Sequence, residues 1–253
     1  MRWYGGEKKM NWSKKELEDG NVEIYYFNEK EPLVSVITTC KKGEPDLENL
    51  KSALLKQTFK DFEFIVTHRG KNIAEGYNTG VRYSRGEIIV FTETDCIPKE
   101  NWLEELIEEL KKYGKGNVVL GSTSASYMNM SSVAMYKSDY APQRNLYIEN
   151  DTEWYSHLKH LKKKIIFTNN KGIVIHNRTR RTYRNQLKIA FVEAYYCPRI
   201  HKMYGKDSIV SPWIFFLSYC FQSLVLFMRF LGLFAGIVRW KVIEFYGYKK
   251  KFE

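Results

Sequence analysis

Residues 33–110 alternate between β-branched runs and amphipathic segments, and this alternation limits the possible folds more than any other feature of the sequence. Three runs have the composition of buried parallel strands: 33–39, 62–67 and 87–92. The segments that follow them place apolar residues at helical spacing, and the third such segment begins at Pro98. A strand–helix repeat of this kind predicts an α/β fold with a doubly wound, mostly parallel sheet.

Two carboxylates follow the third predicted strand. Glu93 and Asp95 are separated by one residue. Doubly wound sheets bind ligands beyond the carboxyl ends of their strands, and at such an end this spacing lets both side chains reach one cation. Hard oxygen ligands suit Mg²⁺ or Mn²⁺, which also accept the oxygens of a diphosphate. Two unrelated surface acids are the alternative, and the position directly before a helix favours the metal site.

The net charge of +11 is concentrated in residues 155–206, which hold thirteen Lys or Arg against one acid, Glu193. Such a block attracts phosphates, anionic lipid headgroups or nucleic acid, and a solvated basic face is the alternative. Nucleic acid is the least favoured partner, because an apolar run follows the block directly. The four cysteines form no CxxC pair and no secretory signal opens the chain, so a reduced, cytoplasmic setting is expected.

The apolar run covers residues 209–238 with Arg229 as its only charge, and residues 211–228 carry none. Eighteen uncharged residues reach the threshold for a membrane helix, with a buried core helix as the alternative. Two full spans would need roughly 40 apolar residues, and the tail after residue 238 is basic. We therefore expect a shallow hairpin or interfacial helices with both ends on the cytoplasmic side. A single span is the competing arrangement.

Several motifs resemble those of family 2 glycosyltransferases, which have the GT-A fold. They are Val34-Ser-Val-Ile37, Gln57-Thr58 before the second strand, the segment 72–81 with Arg85-Gly86-Glu87, and Glu93-Thr-Asp95-Cys-Ile-Pro98. A weaker similarity continues through Asn150-Asp151-Thr-Glu153 and Val174-Ile-His176-Asn-Arg178. The resemblance implies a UDP- or GDP-sugar donor, a divalent cation (Mn²⁺ or Mg²⁺) and inversion at the anomeric carbon. It divides the chain into an N-terminal extension (1–31), a GT-A domain (32–206) and a C-terminal membrane-associated segment with a basic tail (207–253).

The resemblance also implies roles for individual residues. Asp95 and Glu93 match the acids that hold the metal, and Glu93 also matches a ribose contact. His176 matches a segment that lies against the metal or the diphosphate, and Asp151 matches the general base. The polar side chains implied to contact the nucleotide-sugar are Thr38, Thr39, His68, Arg69, Asn78, Glu93, Arg178 and Arg181. Each role has a structural alternative: His176 as a hydrogen-bonded histidine, Asp151 as a helix N-cap, and the arginines as surface charges.

The sequence departs from the family pattern at two places. Thr67-His68-Arg69-Gly70 stands where the family usually has Asp-Asp-Gly-Ser, and Asn150 stands where it usually has Glu. The donor base is therefore expected to be bound differently or by backbone groups. The preferred interpretation is an enzyme at the cytoplasmic face of the cell membrane, acting on a membrane-held acceptor such as a polyprenyl phosphate or a lipid-linked glycan. A catalytically inactive membrane- or nucleic-acid-binding module on the same fold is the alternative.

Overall fold

Over residues 33–110 the strands and helices follow the predicted order, except that Pro98 ends a short strand and the third helix begins at Trp102. The computed structural model describes residues 12–18, 20–27, 29–68, 72–123, 130–144, 150–176 and 200–209. The predicted donor contacts Arg69, Arg178 and Arg181 lie outside these ranges, as does the apolar run from residue 210 onward.

The described residues contain ten strands and four α-helices with defined bounds, and residues 200–204 are also helical. The strands are β1 (Ser13–Leu17), β2 (Val22–Tyr26), β3 (Val34–Cys40), β4 (Phe62–His68), β5 (Ile88–Phe91), β6 (Cys96–Pro98), β7 (Asn117–Leu120), β8 (Val133–Tyr136), β9 (Lys164–Phe167) and β10 (Val174–His176). The helices are α1 (Leu47–Leu55), α2 (Ile73–Tyr83), α3 (Trp102–Tyr113) and α4 (Asn150–His160). Short 3₁₀ turns cover Lys137–Asp139 and Gly205–Asp207.

Eight strands form one mixed sheet in the order β1-β2-β4-β3-β5-β8-β7-β9. Its centre is parallel, because β3 pairs in parallel with both β4 and β5. Strand β8 runs antiparallel to β5 and to β7, and the β1–β2 hairpin of the N-terminal extension pairs antiparallel with β4. All seven residues of β3 are buried, as expected of a strand that is covered on both faces. The predicted α/β class is confirmed.

Helices cover both faces of this sheet. Apolar residues of α1 and α3 share one core with Val36, Phe64 and Val90, whereas α2 and α4 share the other with Ile37 and Ile65. Successive residues of a strand point to opposite faces, so each buried strand supplies both cores. This double winding leaves the carboxyl ends of β3, β4 and β5 at one edge of the sheet.

Helix α2 lies unusually close to the sheet at two glycines. A Cβ at Gly76 would stand 2.1 Å from Thr39 Oγ1, and a Cβ at Gly80 would stand 2.3 Å from Ile37 Cγ2. Glycine disfavours a helix by about 1 kcal/mol relative to alanine, but here it permits the close approach. The helix begins at Asn72, whose Oδ1 accepts a hydrogen bond from the Glu75 amide at 2.8 Å.

The described part of the chain contains no helix that is long and apolar enough to cross a bilayer. The predicted membrane segment lies in residues that the structure does not describe, so its arrangement stays a prediction.

Candidate active site

Four side chains of different chemistry meet beyond the carboxyl end of β5. His176 Nε2 lies 3.2 Å from Glu93 Oε2, and His176 Nδ1 lies 3.5 Å from Asp95 Oδ2. One ligand atom from each of Glu93, Asp95, Cys96 and His176 lies within 4.8 Å of the others. The His176 side chain is 2% exposed, while the two carboxylates are about a third exposed. The histidine therefore lies buried at the bottom of the group, and the two carboxylates above it are accessible to solvent.

The small ladder between β6 and β10 brings these residues together. The two strands are antiparallel, with Cys96 opposite His176 and Ile97 opposite Ile175. Directly opposed residues of an antiparallel pair project to the same face. Cys96 and His176 accordingly face inward, whereas Ile97 and Ile175 are exposed.

A serine from another part of the chain completes the cluster. Ser131 is buried just before β8, and its hydroxyl donates to Glu93 Oε2 at 2.7 Å. Neither Ser131 nor Cys96 was predicted from the sequence to be part of the site. Cys96 could have been found from its position next to Asp95, but no local signal links Ser131 to a carboxylate 38 residues away.

Burial and charge keep the Cys96 thiol protonated in the absence of a cation. Burial is the largest cause that raises the pKa of this thiol to about 12, and the charges of Glu93 and Asp95 act in the same direction against the opposing Ser131 hydrogen bond. The thiol is therefore neutral at physiological pH.

The candidate base Asp151 lies in the first turn of α4, and its Oδ1 accepts a hydrogen bond from the Thr152 amide at 2.9 Å. One turn later, Tyr155 is fully buried. Burial raises the pKa of the Tyr155 hydroxyl well above its usual value, and the charges of Asp151 and Glu93 raise it further. The charges of Asp151 and Glu93 thus both act on the Tyr155 hydroxyl, and the role of Asp151 as the base stays a prediction.

Asp139, the acid that follows β8, lies at the opposite edge of the sheet. Strand β8 is antiparallel to β5, so the residues that follow β8 fall near the start of β5. There the Asp139 carboxylate accepts hydrogen bonds from Lys163 Nζ at 2.5 Å and from the Gly116 amide at 2.7 Å. Asp139 is held as a structural ion pair away from the cluster.

The predicted donor contacts on β3 and β4 are buried at the strand ends. Thr38 and Thr39 are nearly inaccessible, and Thr39 packs under Gly76. His68 lies between two neighbours, with Nδ1 3.8 Å from Cys40 Sγ and Nε2 3.4 Å from Glu23 Oε1. Direct contact of these residues with a donor stays a prediction.

Asn78, another predicted donor contact, fastens α2 to the segment before α4. Its Oδ1 accepts from the Tyr140 hydroxyl at 2.6 Å and from the Gln143 amide at 2.8 Å, and its Nδ2 donates to the Gln143 carbonyl at 2.9 Å. Trp154 Nε1 donates to the Ala141 carbonyl at 2.7 Å in the same segment. Asn78 thereby holds residues 140–143 against α2.

The fold and the cluster define an α/β protein with a carboxylate–histidine group beyond its parallel strands that could hold a cation. Residues 47–187 match the profile of Glycosyl transferase family 2. Because the match covers more than half of the chain, this protein belongs to that family and is a glycosyltransferase. No curated protein sequence matches the chain.

A solved mannosyltransferase structure shows the same fold, and two structures with lower TM-scores are also similar to the chain. The mannosyltransferase PcManGT from Pyrobaculum calidifontis, in complex with GDP-Man and Mn²⁺, has a TM-score of 0.54 at 13% identity, covering 86% of this chain and 85% of that chain. TarS from S. aureus has a TM-score of 0.48 at 10% identity, covering 65% of this chain and 39% of that chain. A structure of TarS 1–349 gives 0.47 at 11% identity, covering 65% of each chain. The predicted GT-A fold is confirmed.

Proposed function

We propose that this glycosyltransferase transfers a sugar from a UDP- or GDP-sugar to a membrane-held acceptor, with inversion at the anomeric carbon. The observation that carries the proposal is the cluster of Glu93, Asp95 and His176 beyond the parallel strands. The similar fold of PcManGT, whose structure contains GDP-Man and Mn²⁺, supports a nucleotide-sugar donor.

The donor set fits a hard divalent cation. Two carboxylates and one imidazole within 4.8 Å suit Mn²⁺ or Mg²⁺, and we infer that Asp95, Glu93 and His176 hold the ion. When bound, the ion offsets negative charge on the leaving diphosphate. The Ser131 hydroxyl and the β6–β10 ladder hold these ligands in place.

Asp151 is the proposed general base. As the acceptor oxygen attacks the anomeric carbon, the bond to the diphosphate breaks and the acceptor proton passes to the Asp151 carboxylate. Proton transfer to a positioned base contributes roughly 10²–10⁴-fold in rate. Attack from the face opposite the leaving group inverts the anomeric configuration.

A basic and apolar surface near α4 supports a membrane-held acceptor. Lys159 Nζ donates to the Lys206 carbonyl at 3.3 Å, and His160 Nδ1 lies 3.1 Å from Asp207 Oδ2. Around this junction Leu161 and Met203 are 45% and 44% exposed, among exposed lysines that include Lys162 and Lys202. Exposed apolar groups among lysines suit the surface of an anionic bilayer. We infer a location at the cytoplasmic face of the membrane, with a polyprenyl phosphate or lipid-linked glycan as acceptor.

Thermal-shift measurements with UDP, GDP and their sugars, with and without Mn²⁺, test the proposal. A rise in melting temperature that needs both a nucleotide and Mn²⁺ is expected. The proposal fails if neither nucleotide series shifts the melting temperature in the presence of Mn²⁺. Sedimentation with anionic and neutral vesicles tests the membrane location, and equal recovery with both would exclude the lysine-rich surface as a docking face.

A further inference from the structure

Cys96 adds a sulfur donor to the cluster of Glu93, Asp95 and His176. We propose that this cluster also binds a thiophilic divalent cation such as Zn²⁺, with the Cys96 thiolate as a ligand, and that this ion excludes the oxygen-preferring ion of sugar transfer. The excluding effect rests on the proposed function, whereas the zinc site itself rests only on the cluster.

The geometry of the four side chains suits a tetrahedral ion. Cys96 Sγ lies 4.0 Å from Asp95 Oδ1, and the four candidate ligand atoms lie within 4.8 Å of one another. Zinc bonds of about 2.0–2.3 Å place tetrahedral ligand atoms about 3.3–3.8 Å apart. Closing the difference takes shifts of about 1 Å, which side-chain rotation supplies.

The two classes of ion would use different parts of the cluster. Cys96 is fully buried and belongs to the apolar core that contains Trp102 and Val174, so its sulfur lies beneath the two carboxylates, which are about a third exposed. Oxygen-preferring ions take the carboxylates and imidazole, whereas thiolate favours zinc-like ions. When zinc binds, a zinc–sulfur bond forms and the thiol proton passes to solvent. His176 binds as the neutral imidazole.

The competing interpretation is that Cys96 only fills space in the core. The two interpretations differ in what a change of the sulfur does to metal binding. A packing role leaves zinc affinity unchanged in Cys96→Ser, whereas a ligand role lowers it by about tenfold or more.

The test uses the metal-free full-length protein with Co²⁺ as a spectroscopic probe, followed by displacement with Zn²⁺. Wild type should show a cobalt–thiolate charge-transfer band that Zn²⁺ abolishes. Cys96→Ser should lack the band and bind Zn²⁺ about tenfold or more weakly. The matched control is Cys40→Ser, which alters another buried thiol. This variant should retain both the cobalt–thiolate band and the zinc affinity of the wild type. A band that persists in Cys96→Ser, or equal zinc affinity in the two proteins, overturns the proposal.

Protection from alkylation covers the case in which Cys96→Ser fails to fold. Zn²⁺ should slow alkylation of Cys96 in the wild-type protein, measured by peptide mass spectrometry, while Mg²⁺ should not. Equal alkylation with and without Zn²⁺ rejects the site. Manganese-dependent binding of UDP or GDP is measured separately. Its absence alongside zinc binding through Cys96 would reject the proposed function and leave the zinc site intact.

Discussion

His176 Nε2 lies 3.2 Å from Glu93 Oε2, although the two residues are 83 positions apart in the chain. The β6–β10 ladder holds the histidine, and the Ser131 hydroxyl holds the same carboxylate oxygen at 2.7 Å. Three segments that are remote in sequence therefore fix the candidate cation site. Such prior positioning of the ligands lowers the reorganisation that binding requires.

Asp95→Asn should abolish the metal dependence of donor binding, because the amide keeps the shape of the side chain but loses the charge that attracts the cation. Calorimetric titration with UDP or GDP, with and without Mn²⁺, measures this dependence. Asp61→Asn is the matched control, since Asp61 is exposed just before β4, at the edge of the sheet opposite the cluster. Equal metal dependence in the wild-type and Asp95→Asn proteins would remove Asp95 from the metal site.

Asp151→Asn should lose roughly 10²–10⁴-fold in transfer rate while keeping its melting temperature and donor affinity. The amide Oδ1 can still accept the Thr152 hydrogen bond, but an amide does not take up a proton. Steady-state kinetics and thermal unfolding of the same samples give both readouts. Wild-type turnover in this variant would leave Asp151 with a structural role only.

Asp139→Asn should lower the stability of the protein but leave its transfer rate almost unchanged. It weakens the contact with Lys163, and loss of a buried hydrogen bond to a charged group costs about 1–3 kcal/mol. Because Asp139 lies away from the cluster, the transfer rate per folded molecule should stay near that of the wild type. Urea unfolding and kinetics at a temperature where the variant is folded measure the two effects, and a stable but inactive protein contradicts the assignment.

Gly76→Ala should lower the free energy of unfolding by about 1–3 kcal/mol, even though alanine favours a helix by about 1 kcal/mol. The new methyl group would meet Thr39 Oγ1 at 2.1 Å, so α2 has to move away from the sheet. Adding Thr39→Ala removes that oxygen and should recover part of the loss. Urea unfolding of both variants measures the change in the free energy of unfolding. A gain in stability from Gly76→Ala alone would show that α2 moves away from the sheet at little cost.

Glu23 should make stability depend on pH in the acid range. Burial alone would raise the pKa of Glu23, but hydrogen bonds from Tyr25 and Lys14 outweigh it and lower this pKa from 4.5 to about 2. The carboxylate therefore stabilises the fold fully above pH 4.5, and this contribution is lost as the pH falls toward 2. After allowance for solvent screening, the contribution is on the order of 1 kcal/mol.

Glu23→Gln tests this dependence. The variant should be less stable than the wild type at neutral pH, and the difference should shrink as the pH falls through the range between the two pKa values. Urea unfolding across that range measures the difference. If the difference in the free energy of unfolding stays constant with pH, the lower stability of Glu23→Gln comes from packing of the amide rather than from loss of the charge.

The three strands of the parallel centre, the helices between them and the place of Glu93 and Asp95 could be predicted from the sequence alone. These features depend on local properties: β-branched runs bury themselves as strands, and a carboxylate directly after such a run lies at the edge of the sheet. The motifs of residues 33–110 also identified the family correctly.

Which distant residues join the carboxyl-end edge of the sheet depends on tertiary packing. The register of β6 against β10 sets His176 opposite Cys96, and the antiparallel direction of β8 carries Asp139 to the far edge while Ser131, before the strand, stays beside Glu93. The glycines of α2, which weaken the helical pattern in the sequence, allow the helix to lie against Thr39. Pairing and register between segments far apart in the chain depend on how whole surfaces pack, and no local pattern encodes them.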